Sequence, residues 1–358
     1  KYFFSLGNYD EKAILNGTDF NRSTIRTNNE FKITKGIVVA QTLSVTFNNI
    51  TPKPLSAFTS AYKQSPIVPV YFPSGQYGVS YVGSNGFAST TGSSFNNVGN
   101  PVAQLAFNNE RQKSMQLQGG LKVDMNLMKD LKFTSQFSGE YYNFKMYNYA
   151  DLLSIWLAAD PTRVASNYPG SSNINTLTNQ NKDYFNWSLT NYLTYSKKFG
   201  DHDLEATVGT ESAVKDGENS LSMTRKNMIL NSNYWDLSGT NYLDQLVTLN
   251  SVNGNKNTTN SYFARAQYKL MNPYLLSATV RRDGSSQFSD GNKWGTFPAF
   301  GVGWVISEES FMKDSSLFNL LKLRGGWGKL GNQNIPANYL PFASGSVYNY
   351  AFNGNAVS

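Results

Sequence analysis

Between Leu117 and Lys145 the chain holds one phase of alternating polarity, and this more than anything limits what it can fold into. Leu117, Gly119, Leu121, Val123, Met125 and Leu127 fall on one face, and Gln118, Gly120, Lys122, Asp124 and Asn126 on the other. After Met128-Lys129-Asp130 the pattern resumes, with Leu131, Phe133, Phe137 and Tyr141 opposite Lys132, Thr134, Gln136, Ser138 and Glu140. A side-chain period of two describes two strands joined by a tight turn. Each keeps its faces well beyond the roughly five or six residues usual in a soluble strand. A hairpin this long, apolar on one side and polar on the other, suits a wall between lipid and water. The fold class it predicts is all-β, an antiparallel up-and-down transmembrane β-barrel segment.

Composition agrees. Of the 358 residues 15% are charged, against about 25% in typical soluble domains. Aromatics reach 14%, with 22 Tyr and 23 Phe, as expected where aromatic girdles mark both membrane interfaces. No apolar run approaches the ~20 residues of a spanning helix; the longest candidate, Leu152 to Ala159, is far shorter. The negative mean hydropathy therefore argues against a helical membrane protein and leaves a barrel open, because alternation hides half of each strand from an averaging window. Cysteine is absent, so disulfides and thiolate metal sites are excluded. The net charge of +7 is spread along the chain without a basic cluster or a nucleic-acid module, and no nucleic-acid partner is expected.

Period-two segments occur near 1–7, 22–33, 37–48, 112–127, 131–145, 184–198, 203–214, 259–270, 274–283, 296–306 and 319–329. Alternate connections are short: Thr34-Lys35-Gly36, Met128-Lys129-Asp130, Phe199-Gly200-Asp201-His202 and Met271-Asn272-Pro273. The others are long, at 8–21, 49–111, 146–183 and 215–258, with a shorter one at 284–295. In an up-and-down meander the two sets lie at opposite ends, as periplasmic turns and external loops do in outer-membrane barrels. An odd number of strands leaves two open edges, which hydrocarbon does not tolerate. Residues 1–358 are therefore expected to be one part of a larger barrel domain, with the remaining barrel strands outside it.

Enzymatic constellations are weak. His202, the one histidine, sits in a predicted turn between Asp201 and Asp203 without a cleft, and a solvated turn histidine is the better reading. Gly325-Gly326-Trp327-Gly328-Lys329 lacks the residues a phosphate loop needs, since Leu330 follows the lysine and Arg324 stands five positions before it. Asp283-Gly284-Ser285-Ser286 with Asp290-Gly291-Asn292 carries oxygen ligands, but Asp-Gly is first a turn signal. Glu308 and Glu309 are adjacent in sequence, not opposed across a sugar ring. No catalytic residue, metal or cofactor is assigned, and the chain is not expected to be an enzyme.

One stretch is more specific. Tyr262 to Arg265, Arg281 to Ser286, Trp294 to Pro298 and Gly331 to Gln333 read Tyr-Phe-Ala-Arg, Arg-Arg-Asp-Gly-Ser-Ser, Trp-Gly-Thr-Phe-Pro and Gly-Asn-Gln. With Ser65 to Tyr71, Gly75, Tyr77 and Gly99-Asn100-Pro101 upstream, they resemble the SusC/RagA-type TonB-linked outer-membrane proteins of Bacteroidetes. The resemblance is strong at 261–335 and loose at 120–250; Gln287 departs from it, standing where a basic residue is common. It implies a barrel of about 22 strands, large enough to hold a plug, of which this segment supplies roughly the first half. The family's plug, TonB box and closing strands would lie outside it. It also implies energy-dependent import of oligosaccharides or peptides, a SusD-like surface lipoprotein as lid, and coupling to TonB–ExbB–ExbD through the plug.

The long loops are rich in aromatics whose flat faces can stack on sugars beside Asn and Ser hydrogen-bonding groups. Tyr71, Tyr77, Tyr81, Trp156, Tyr234 and Trp235 are the candidate substrate-binding residues; packing of the loops on one another is the competing reading. The polar strand face, including Lys122, Asp124, Gln136, Glu140, Arg265, Gln267 and Lys269, should face the lumen and meet the plug or substrate. A passive porin or structural outer-membrane barrel, and a secreted β-rich glycan-binding protein, are the alternative functions.

Overall fold

The computed structural model describes residues 1–79, 99–158, 163–170, 174–215, 217–228, 247–271, 273–312, 318–333, 350–352 and 355–357. Its strands are β1 (Tyr2–Lys12), β2 (Asp19–Thr34), β3 (Ile37–Thr51), β4 (Asn108–Met128), β5 (Leu131–Ala150), β6 (Thr176–Phe199), β7 (His202–Lys215), β8 (Asn219–Lys226), β9 (Val247–Val252), β10 (Asn257–Leu270), β11 (Tyr274–Ser285), β12 (Trp294–Val305) and β13 (Lys322–Gly328). β14 (Tyr350–Phe352) and β15 (Asn355–Val357) form a separate small hairpin. Three short helices stand in the long connections: α1 (Ser56–Lys63), α2 (Pro101–Phe107) and α3 (Leu152–Ala158).

The main sheet has thirteen strands, and its continuous path is β1-β2-β3-β4-β5-β6-β7-β10-β11-β12-β13, every pair antiparallel. All eleven period-two segments are strands on that path, in the expected up-and-down order. Among the described residues the sheet is open, with β1 and β13 at its edges.

The turns are tighter than the sequence suggested. Lys35-Gly36, Lys129-Asp130 and Gly200-Asp201 alone lie between their strands, because ladder hydrogen bonds continue to the last residue. Gly200 supplies the left-handed backbone (φ 57°) that a two-residue hairpin requires. At the opposite end the strands outrun the predicted segments: β6 is 24 residues long. Its first part, Thr176–Asp183, pairs with β8, and only from Trp187 onward does it pair with β7. The expected loop at 215–258 thus contains the β8–β9 hairpin, whose weak Ser/Leu and Ser/Met alternation hid it. Leu177, fully buried with Tyr149 and Met228, anchors this extension.

Register assigns the faces. Leu121 opposes Phe137, Phe137 opposes Leu189, Phe133 opposes Leu193 and Leu193 opposes Val208, so one face is apolar from strand to strand. On the other, Lys122 opposes Gln136 and Gln136 opposes Thr190. A single recess bordered by residues from β2 through β10 lies on the polar side, so the sheet curls toward that side and the apolar face is convex. On β12 the convex face runs from Trp294 through Thr296, Pro298, Phe300 and Val302 to Trp304. Those ten steps rise about 33 Å along the strand and about 25 Å along the barrel axis at a ~40° tilt, the height of an outer-membrane barrel's apolar band.

Candidate functional site

The concave wall is a chain of polar groups that satisfy one another across strands. Glu140 on β5 accepts from Gln116 (2.6 Å) and Gln118 (3.5 Å) on β4 and from the Tyr184 hydroxyl (3.4 Å) on β6. Asp124 accepts from the buried Thr134 hydroxyl at 2.6 Å and pairs with Lys122 at 3.1 Å. The densest charge centre is Arg281 on β11. Its Nε donates to Asp283 (2.6 Å), its Nη2 donates to Glu211 on β7 and to buried Ser261 on β10 (2.9 Å each), and its guanidinium lies 5.9 Å from the Phe263 ring. Each partner reaches Arg281 because β7, β10 and β11 are in register there: Glu211 opposes Ser261, which opposes Asp283.

The wall encloses a recess of about 680 Å³ bordered by Arg26, Ser44, Gln118, Glu140, Asn186 and Lys215. A smaller cavity of about 340 Å³ surrounds Arg281 and is closed on one side by Gly331-Asn332-Gln333. Gly331 fits against the Phe297 ring only because it lacks a side chain; a Cβ there would come within 2.3 Å of the ring. Among the described residues, then, the wall offers many hydrogen-bonding groups spread over several strands, which suits holding a large polar surface.

Above the wall, the first long loop is tied down by two residues. Asn100 caps α2, its Oδ1 accepting from the Val102 and Ala103 amides while its Nδ2 donates to the Val70 (2.9 Å) and Gly78 (3.0 Å) carbonyls. Lys53 donates to the Leu105 and Asn108 carbonyls (3.0 Å each) and to Asn109 Oδ1 (3.2 Å). Burial pulls its ammonium below the usual lysine range. Sequence reasoning assigned neither role, although Asn followed by Pro is a helix-start signal that marks Asn100.

Of the candidate binding residues, Tyr71 and Tyr77 come together. They face each other across a tight hairpin with ring centroids 5.2 Å apart, and Tyr77 meets Phe107 edge-on at 5.7 Å. Burial pushes the Tyr77 hydroxyl pKa upward, with Tyr71 adding to it. Trp156 sits in the next loop, packed edge-on against Tyr168 (5.3 Å) with Arg163 over its ring (4.6 Å). The two loops join where the Asp151 amide donates to the Phe107 carbonyl at 3.0 Å. Tyr71, 49% exposed, keeps a free face, and Tyr62 on α1 is 87% exposed; the partner rings of Tyr77 and Trp156 are internal loop packing. Tyr81, Tyr234 and Trp235 lie outside the described residues.

Two expectations change. His202 is not a solvated turn residue: it begins β7 on the convex face, stacked between Phe199 and Tyr268 and hydrogen-bonded to the Tyr268 hydroxyl. Asp283-Gly284 is not the turn, because it continues β11 opposite Gly295 and Trp294. Its carboxylate is held by Arg281, and that of Asp290 by Lys293 at 2.5 Å, which keeps Asp290 below the usual carboxylate range.

No family model matches the chain. Among curated proteins it is 32% identical over 251 residues to the TonB-dependent receptor SusC of Bacteroides thetaiotaomicron, covering 69% of this chain and 23% of that protein. It is 29% identical to the TonB-dependent receptor P39 of Formosa agariphila, covering 100% of this chain and 31% of the relative. The chain therefore spans 23% to 31% of the length of these relatives. Among solved structures, the RagAB peptide importer in its open-open state aligns with a TM-score of 0.67 at 18% identity, over 98% of this chain and 37% of that one. At that identity the likeness speaks for the fold alone, a β-barrel wall.

Proposed function

Because the chain belongs to the SusC-like TonB-dependent receptors and is integral to the outer membrane, we propose that residues 1–358 form part of the barrel of an energy-coupled nutrient importer. The cargo class is oligosaccharide or peptide. The observation that carries this reading is the concave wall, a continuous polar surface around a 680 Å³ recess on strands whose other face is apolar. A surface with donors and acceptors spread over many strands serves a plug or a large polar solute better than a compact catalytic centre. Transport needs no covalent chemistry, and the chain is not assigned an enzymatic role. A SusD-like lipoprotein would cover the external mouth, where the loop carrying exposed Tyr62 and Tyr71 stands. TonB–ExbB–ExbD would act through a plug.

The test is uptake of a fluorescent oligosaccharide and a fluorescent peptide by cells with and without the full-length receptor. Uptake that depends on the receptor and collapses when a protonophore removes the proton motive force is the expected result. Uptake indifferent to the protonophore would replace this reading with a passive porin. Removing two aromatic faces by Tyr62→Ala and Tyr71→Ala together should raise the concentration for half-maximal uptake about fivefold, given the ~0.5–1.5 kcal/mol of a ring contact.

A further inference from the structure

On the convex face one row of residues runs straight across six strands. Phe133 opposes Leu193, and the row continues through Val208, Ala264 and Val280 to Pro298. The next row toward the external end is polar: Ser135, Asn191, Thr210, Tyr262, Arg282 and Thr296. Where the rows meet lies an apolar groove of about 560 Å³, walled by Leu193, Val208 and Val280, low over Ala264, and bordered at its outer end by Tyr262 and Arg282. Arg282 is exposed on this face. It forms no ion pair among the described residues, and its sequence neighbour Asp283 belongs to Arg281 on the opposite face. Its guanidinium stands 5.4 Å from the Trp294 ring, which in turn stacks on Tyr262 at 5.9 Å.

Height decides what such a cation meets. Arg282 is eight residues beyond Tyr274, the periplasmic end of its strand. That is about 26 Å along the strand and about 20 Å along the membrane normal at a ~40° tilt. This level is about 5 Å below the Trp294 edge of the apolar band, within the reach of an arginine side chain that extends its head toward the headgroups. A guanidinium there, braced by two rings, is a fork-shaped donor for phosphate. The polar row from Arg282 to Asn191 crosses β11, β10, β7 and β6, about 14 Å at the usual strand spacing. That width matches a sugar headgroup better than a single glycerophosphate.

We propose that this groove and row bind a phosphorylated, acylated glycolipid of the external leaflet, of the lipid A class. One phosphate lies on Arg282, the sugar lies over Tyr262, Thr210 and Asn191, and an acyl chain fills the groove over Ala264. The site rests on the outer-membrane placement and not on import.

The test is native mass spectrometry of the full-length receptor, stripped of lipid in detergent and reloaded with lipid A from the host membranes or with phosphatidylglycerol. The wild type should retain one lipid A through detergent exchange. Arg282→Gln and Val280→Trp should each lower retention about tenfold, the loss of one charge-assisted contact or of one chain's seat. Arg324→Gln, a cation of the concave face, should change nothing. Heat-modifiable gel mobility reports folding, and V280W, which leaves the charge in place, carries the test if R282Q does not fold. Equal retention by wild type and both variants, or retention of phosphatidylglycerol as good as that of lipid A, overturns the proposal. Uptake measured in the same strains keeps a failure of the import reading separate from a failure of this one.

Discussion

The two faces of this wall share one backbone and are held by different forces. On the convex side strands are linked by ring contacts: Phe137 with Trp187 (6.4 Å), Phe300 with Trp327 (6.2 Å), and His202 with both Phe199 and Tyr268. On the concave side the ring pairs Tyr142–Tyr184 (5.2 Å) and Tyr192–Phe263 (6.5 Å) are joined by ion pairs and charge-assisted hydrogen bonds that converge on Arg281, Glu140 and Asp124. Polarity alone therefore does not determine what a position tolerates. A charge is welcome wherever the neighbouring strand supplies its partner, and costly where only hydrocarbon does.

The largest effect is expected from moving a charge to the wrong face. Val208→Arg, placed at mid-height on the convex side, should destabilise the barrel by about 2–4 kcal/mol, measured by urea unfolding of the full receptor in vesicles. An unchanged midpoint would mean that this face does not meet lipid. Next comes removal of the concave hub. Arg281→Met leaves Glu211, Asp283 and Ser261 without their donor, and because all three charged groups are about one-third exposed the cost should be about 2 kcal/mol rather than that of a buried pair. A double substitution with Glu211→Gln would recover part of the loss if the pairing is the cause; strictly additive losses would refute it. Thr134→Val tests a single link, since the hydroxyl donates to Asp124 from a fully buried position, and about 1 kcal/mol should disappear.

The smallest effect lies between two adjacent glycines. A Cβ on Gly119, on the convex face, meets Leu43 at an ordinary 3.6 Å, whereas one on Gly120 meets the Thr42 hydroxyl at 2.9 Å. Gly119→Ala should be neutral or stabilising by up to ~1 kcal/mol, and Gly120→Ala destabilising by a similar amount. Equal shifts of the two unfolding midpoints would show that the faces are not packed as described.

Much of this was legible in the sequence because alternation over ten residues or more is a local signal with a single geometric meaning. Strands β4 and β5 could be read residue by residue from Leu117 to Lys145, and the short and long connections placed the two ends. What escaped depended on partners distant in the chain. Arg281 finds Glu211 seventy residues away, a relation no window reveals. β8 and β9 carry too few apolar residues to announce themselves and are strands because β6 outlasts β7 and needs another neighbour. His202 looked solvated because its sequence neighbours are charged, but the register of β7 with β10 sets it beside Tyr268. Of the loop aromatics, the sequence identified Tyr71 and Tyr77 as candidates but not that Tyr77 is occupied with Phe107.

The change of neighbour along β6 has a consequence for the shape of the entrance. β4, β5 and β6 run 20 residues or more and stay paired beyond the point where β7 leaves, while β11 and β12 have 12 residues each. Among the described residues the rim is therefore cut on a slant, with a tall lip over β4 to β6, extended by β8 and β9, and a low one over β11 and β12. A bulky molecule drifting in from outside meets the tall lip as a backstop and the low one as a threshold.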